Sequence, residues 1–190
     1  MTEGFMADYI TTYSRIHFTP LAPQAEDIVI EDIAHPLSFL TRANGHFPQF
    51  YSVGQHCIQC AREAIARGYS ERLALACLLH DASEAYLSDI TRPVKKNLPG
   101  YREAEKVLQD AIYRKFLGSV PREDEERCIK NVDDTCLYFE FLHFAGEKLY
   151  EQPGKMLSVA DFSLRPFAEV EMEFTELFAE LYNKCAAQRS

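Results

Sequence analysis

Two histidines and several carboxylates in this chain occupy positions where a helical chain would bury them. His80 and Asp81 are adjacent at the end of an apolar run, Leu73 to Leu79, and further acids follow at Glu84 and Asp89. His56 comes one turn after Val53, next to the apolar stripe of a second helical stretch. Asp133 has Ile129 and Cys136-Leu137 as its one-turn neighbours, so it shares the apolar side of a third, whereas Asp134 points toward solvent. A carboxylate taken out of water costs several kcal/mol unless it is paired or binds a metal. Any one of these residues alone reads as a satisfied core histidine or a paired acid. The four together, His56, His80, Asp81 and Asp133, read better as ligands of one divalent ion. Two imidazoles and two carboxylates suit Mn²⁺, Co²⁺, Fe²⁺, Ni²⁺ or Zn²⁺, and suit Mg²⁺ less well. Such a set leaves coordination positions for water and a substrate oxygen, which is the chemistry of metal-assisted phosphoester hydrolysis.

The elements that would position these residues are helical. The run from Leu73 to Leu79 is apolar on every face and is expected at the centre of the molecule, with Ser70 as its N-cap and Glu71 in its first turn. A helix begins near Asp32, tolerates Pro36 in its first turn, and closes at Asn44-Gly45. The next spans about 52 to 67, ended by Gly68, with Val53, Cys57, Cys60, Ala61, Ala64 and Ile65 as its buried stripe. Residues 88 to 96 are too basic and proline-broken for helix. Further helices are expected over about 101 to 117, with Ala104, Val107, Leu108, Ala111, Ile112 and Phe116 inward, over 121 to 144, and over 166 to 187. The last has a strong stripe, Phe167, Val170, Phe174, Leu177, Phe178, Leu181 and Tyr182, expected in the core; half of a homodimer contact is the alternative. Residues 1 to 30 hold short β-leaning pieces at 9 to 13, 16 to 18 and 28 to 30 and predict a small hairpin or an extended arm. The expected fold is therefore all-α, a single domain over 1–190 with a 1–30 arm.

Composition narrows the function. The net charge of −9 argues against a nucleic-acid backbone as partner, because no basic surplus exists to displace counterions. No apolar run has membrane-spanning length, and Met1 to Asp8 carry acids without an apolar core, so a cytoplasmic location with no membrane partner is expected. Six cysteines are then expected to stay reduced; Cys57 and Cys60 form a Cys-x-x-Cys with no second pair, which reads as core packing. Neither a Walker-type loop nor a dinucleotide fingerprint is present.

The pattern His56 … His80-Asp81 … Asp133 resembles the metal-binding pattern of the HD-domain phosphohydrolases. His80-Asp81-Ala82-Ser83-Glu84-Ala85-Tyr86-Leu87-Ser88-Asp89-Ile90-Thr91-Arg92-Pro93-Val94-Lys95 is similar to the corresponding segment of the bacterial 5′-deoxynucleotidases of that superfamily and of their small phage-associated relatives. Lys130 to Cys136 resembles the helix bearing their last ligand, and Ile30 to His35 with Tyr51 to His56 resembles the entry to the same domain. The likeness covers roughly residues 10 to 145; the C-terminal helix region, 150 to 190, carries none of it.

This resemblance implies an all-helical HD-domain fold, one divalent ion on His56, His80, Asp81 and Asp133, and catalytic roles for Glu84 and Asp89. Glu84 would face the bound water or orient a ligand histidine, and Asp89 would hold or deprotonate the attacking water. It also implies substrate contacts: Arg42, at the end of the helix before the His56 loop, matches an arginine that meets phosphate in the family, and Lys95, just beyond Asp89, matches a family lysine. Arg92 is a further candidate by proximity alone. Ala43 stands where the deoxynucleotidases carry a tryptophan, and this chain has none, so His46, Phe47 or Tyr51 become the stacking candidates. The expected activity is hydrolysis of a (deoxy)nucleoside 5′-monophosphate, a small-molecule substrate, to nucleoside and phosphate. The alternatives are a deoxynucleoside triphosphate triphosphohydrolase and, from another class, a non-catalytic metal or nucleotide sensor.

Overall fold

The computed structural model describes residues 8–187. Eight α-helices are found among them: α1 (Glu31–Phe39), α2 (Val53–Ala66), α3 (Glu71–Leu78), α4 (Glu84–Leu87), α5 (Arg92–Lys95), α6 (Pro99–Leu117), α7 (Glu123–Phe144) and α8 (Phe167–Ala187). A two-stranded antiparallel hairpin precedes them, β1 (Ile10–Thr11) paired with β2 (His17–Phe18) in the register Ile10 opposite Phe18. The all-α reading with a small hairpin therefore holds; the parts of the arm at 1–7 and of the C-terminus at 188–190 lie outside the described residues. Residues 28 to 30 are not a strand. They link a 3₁₀ turn at Ala25–Asp27 to α1.

The centre of the core is the apolar run of α3, whose Ala74, Leu75, Cys77, Leu78 and the following Leu79 are fully buried. Ser70 caps it as expected, its hydroxyl accepting from the Leu73 N–H at 3.3 Å. α2 lies along α3, started by a capping box in which Ser52 and Gln55 satisfy each other's backbone N–H groups. α8 closes over α1 and α3, and its Val170, Phe174, Phe178, Leu181 and Cys185 are buried within the chain. Gly54 permits this close approach: a Cβ there would stand 3.1 Å from Val170 Cγ1 and 3.2 Å from the Leu37 carbonyl oxygen. Ile65, Val107, Phe167 and Tyr182 are exposed rather than buried (47% and 53% for the first two), because each lies at the margin of its helix's apolar stripe.

Two boundaries differ from expectation in ways that matter for the site. α1 ends at Phe39, not at Asn44-Gly45. After it the chain makes a tight turn in which Ala43 (φ 52°), Asn44 (φ 50°) and Gly45 (φ 75°) are all left-handed. The other difference is α5, a one-turn helix started by proline inside the stretch expected to be loop.

Between α7 and α8 runs a long irregular segment, residues 145–166. Glu63, buried on α2, holds it: its carboxylate accepts from the backbone N–H groups of Leu157 (3.0 Å) and Ser158 (2.8 Å), from the Ser158 hydroxyl (2.6 Å), and from Arg67 Nε (2.7 Å). These bonds hold its carboxyl below the usual carboxylate range against the opposing effect of burial. No helix among the described residues is long and apolar enough to cross a membrane.

Candidate metal centre and its cavity

His80 and Asp81 occupy the turn that follows α3. That turn is fixed from α6, where Gln109 accepts the Ser83 N–H at 3.1 Å and donates to the Leu79 carbonyl at 2.7 Å. His56 comes from the first turn of α2 and Asp133 from the middle of α7. The three elements converge. His56 Nε2 lies 3.2 Å from His80 Nε2, 3.2 Å from Asp133 Oδ1 and 3.8 Å from Asp81 Oδ2. His80 Nε2 is 3.3 Å from Asp81 Oδ2 and 3.8 Å from Asp133 Oδ1. Ligands about 2.1 Å from a common ion lie roughly 3.0 to 3.4 Å from one another, so this spacing fits one divalent cation.

Both imidazoles are held so that Nε2 faces the centre. His80 donates its Nδ1–H to the Cys77 carbonyl at 2.8 Å, and His56 is paired through Nδ1 with Glu140 Oε1 at 2.5 Å. Without a metal the cluster resolves by proton sharing. Burial and Arg42 pull the His56 pKa down, but Glu140 and Asp133 outweigh them and push it up to about 10. Burial acts on His80 in the same direction and is overcome by Asp81 and Asp133, which raise it well above the ordinary range. Asp133 is driven well below the carboxylate range by both imidazoles despite its burial, and Asp81 is lowered for the same reasons. A divalent cation would supply this positive charge in place of the two protons.

The cluster opens on a cavity of about 440 Å³. Asp81 and Asp133 line it, with Glu84 and Asp89, the cations Arg42, Arg92 and Lys95, and an apolar wall that includes Phe47, Leu137, Phe141, Leu149 and Tyr150. Glu84 is buried. One carboxylate oxygen accepts from Lys95 Nζ at 3.1 Å, and the other has no partner among the described residues, an arrangement suited to a donor arriving in the cavity. Burial together with Asp81 and Asp89 raises the Glu84 pKa well above the ordinary value; burial, opposed by Arg42, raises that of Asp89.

The cations are more committed than their spacing suggested. Arg42 is buried; its Nε and NH2 donate to Glu140 Oε2 at 3.4 and 3.3 Å and its NH1 to Asp81 Oδ2 at 3.5 Å. Two of its five N–H groups remain for a ligand. It is not at a helix end but opens the left-handed turn after α1, where its own N–H binds the Tyr51 carbonyl at 2.8 Å. Lys95 Nζ also pairs with Glu105 at 2.5 Å, and Arg92 bridges Asp133 (2.8 Å) and Asp134 (3.0 Å). Asp134 is thus half-buried and ion-paired rather than turned to solvent.

Two of the three stacking candidates do not reach the cavity. His46 is exposed and absent from its walls. Tyr51 is fully buried, its ring 5.2 Å from Phe144 and 5.9 Å from Phe162 and its hydroxyl without a partner among the described residues. Phe47, on the same turn, does line the cavity. Sequence reasoning missed Glu140, although the signal existed: it is seven residues after Asp133, two turns along the same buried face of α7. It also missed Leu149 and Tyr150, which no periodicity marks.

The cysteines add a second layer. Cys57 and Cys60 are buried, as core packing requires, yet their sulfurs reach the cluster. Cys60 Sγ lies 3.5 Å from His56 Nε2, and ligand atoms of His56, Cys60 and His80, and separately of Cys57, His80 and Asp81, lie within 4.8 Å of one another.

No protein-family model matches the chain. It is 37% identical over 169 residues to the uncharacterized protein RCAP_rcc00048 of Rhodobacter capsulatus, an overlap that takes in 82% of this chain and 86% of the other. The chain belongs to the same family as that Rhodobacter protein. It is also 40% identical over 113 residues to the uncharacterized protein YfdR of Escherichia coli (strain K12), covering 60% of each. A more distant relative is a 5′-deoxynucleotidase of Vibrio cholerae, 30% identical over 128 residues, which are 57% of this chain and 64% of the relative. The chain spans less than two thirds of the length of the latter two. Family membership thus rests on the Rhodobacter relative, and the nucleotidase name belongs to the distant ones.

Proposed function

We propose that the protein is a divalent-metal-dependent phosphohydrolase of the HD type that cleaves a (deoxy)nucleoside 5′-monophosphate to nucleoside and phosphate. The observation that carries this reading is the meeting of His56, His80, Asp81 and Asp133 at 3.2 to 3.8 Å beside a cavity lined by both cations and aromatic rings. Distant relatives named 5′-deoxynucleotidase support the substrate class. A bound ion would neutralise phosphoryl charge and acidify water.

The chain's own residues do the rest. Arg42, through its remaining N–H groups, and Lys95 balance the charge of the phosphate. Asp89, half-buried at the cavity wall, orients the attacking water and takes its proton as the new P–O bond forms and the P–O5′ bond opposite it breaks. The 5′ oxygen takes up a proton from solvent and leaves as the nucleoside hydroxyl. Glu84 fixes Lys95 with one oxygen and offers the other to a bound water. Phe47 and Tyr150 supply the face for base or sugar. Arg92 lines the cavity while paired with Asp133 and Asp134.

The test is phosphate release from a nucleotide panel with Mn²⁺ or Co²⁺, in parallel with Asp89→Ala. Wild type should release phosphate from nucleoside monophosphates, and the variant should keep its metal content and lose turnover by about 10²-fold or more. Release of inorganic triphosphate from deoxynucleoside triphosphates would instead favour the triphosphohydrolase. That second reading draws on another cavity of about 790 Å³ that shares Asp81 and Asp133 and is lined by Lys96, Arg102, Lys106 and Lys130 together with Glu105, Asp110 and Glu126. A metal-loaded protein that turns over no nucleotide would leave the non-catalytic sensor as the better account.

A further inference from the structure

The cavity meets the cluster through its oxygen donors. Asp81 and Asp133 line it, whereas His56, Cys57 and Cys60 do not. Behind the carboxylates, on the protein side, lie two thiols. Cys60 follows His56 by four residues on α2, so its sulfur falls beside the same imidazole, 3.5 Å from Nε2 and 4.0 Å from Nδ1. Cys57 Sγ reaches the other imidazole, with ligand atoms of Cys57, His80 and Asp81 all within 4.8 Å of one another. His56, Cys60 and His80 together offer two nitrogens and one sulfur within 4.8 Å of one another, the spacing and the softness that suit a thiophilic ion.

We propose that this centre holds two overlapping donor sets for a single ion. One is a hard set, His56, His80, Asp81 and Asp133, that faces the cavity. The other is a soft set that recruits Cys60, with Cys57 in reserve, and draws a thiophilic ion such as Cd²⁺ or Zn²⁺ away from the cavity mouth. The inference rests on the metal-centre reading above and deepens it. Binding in the soft set breaks the Cys60 S–H bond and forms a sulfur–metal bond, and the proton leaves to solvent through the cavity. An ion such as Mn²⁺, with little affinity for sulfur, stays on the carboxylates. The site would thus tell metals apart by position, and a soft ion would occupy it without presenting itself to a phosphate.

The experiment titrates the reduced, metal-stripped full chain with Mn²⁺ and, separately, Cd²⁺, following heat on binding and near-ultraviolet absorption. Wild type should bind both, and only the cadmium complex should show a sulfur-to-metal charge-transfer band. In Cys60→Ser the band should fall by at least half and the cadmium affinity by about tenfold or more, with manganese affinity changed less than about twofold. Cys60→Ala, which leaves no oxygen donor, should behave alike and guards against a serine that coordinates by itself. A cadmium complex with no charge-transfer band, or one whose band persists undiminished in Cys57→Ser/Cys60→Ser, would overturn the soft set while leaving the manganese isotherm to support the metal centre. Failure of wild type to bind either ion would overturn both readings.

Discussion

Glu140 gives the sharpest test of how the site is built, because it is fully buried at the inner wall of the cavity and binds both a candidate ligand histidine and Arg42. It is fully buried on α7, with one oxygen on His56 Nδ1 at 2.5 Å and the other shared by Arg42 Nε and NH2 at 3.4 and 3.3 Å. In Glu140→Gln the amide keeps the shape but brings one acceptor and one donor where two acceptors stood. If its oxygen stays with His56, its NH₂ meets the Arg42 guanidinium, donor against donor; if it turns, the His56 Nδ1–H loses its acceptor. Either way one buried donor is stranded, at a cost of about 1–3 kcal/mol. The imidazole also loses the negative charge that makes Nε2 a stronger ligand. Losing such a support typically weakens metal binding about 10- to 100-fold, equivalent to about 1.4–2.8 kcal/mol. The assay is manganese affinity by calorimetry beside the urea midpoint of the metal-free protein. Both should fall in Glu140→Gln. A variant that unfolds at the wild-type urea concentration and binds manganese within about twofold of wild type would refute the claim that Glu140 orients His56.

Metal uptake should expel protons. His56, whose pKa stands at about 10 against 6.5 for a free imidazole, and His80, shifted the same way, hold protons at neutral pH in the metal-free protein, so apparent affinity should rise with pH and the observed heat should vary with buffer ionisation enthalpy. The same raised pKa means that the stabilisation from protonated His56 is complete below about 6.5 and lost as pH climbs toward about 10, so the metal-free protein should denature progressively more easily over that interval. Glu63→Gln should detach residues 157–158 from α2 and lower stability by about 1–3 kcal/mol in urea titrations at neutral pH. Because the Glu63 pKa is depressed, its contribution is present above the ordinary carboxylate range and fades as pH falls through the folded value; the gap between variant and wild type should narrow in acid. Gly54→Ala pushes a methyl to 3.1 Å from Val170 and 3.2 Å from the Leu37 carbonyl, and calorimetric melting should show a loss of about 1–3 kcal/mol. An unchanged melting temperature there would mean that α8 is not tightly seated on α1 and α2.

Much of this was legible in the chain itself, since helical periodicity is a local property. The apolar run of α3, the Ser70 cap and the stripes of α2, α7 and α8 follow from side-chain spacing and backbone capping needs, and they already put His56, His80, Asp81 and Asp133 on inward faces. Where a residue sits on the far side of a turn, periodicity is silent. The three left-handed residues after α1, which carry Arg42 inward, and the single turn of α5 depend on contacts made elsewhere in the fold.

Tertiary packing decided the rest. The partner of His56 is an acid 84 residues away, and although Cys60 lies beside His56 on the same helix, the thiols come near His80 only when α2 lies along α3. The cavity wall at Leu149 and Tyr150 comes from an irregular segment tied down by Glu63, by Gln49, Gln55 and Gln59, and by the Tyr150 hydroxyl on the Asp134 carbonyl. Amino-acid type and spacing determine which residues must leave water, because burial follows local pattern. Which atoms they then meet depends on how separate helices cross, and that is a property of the packed chain as a whole.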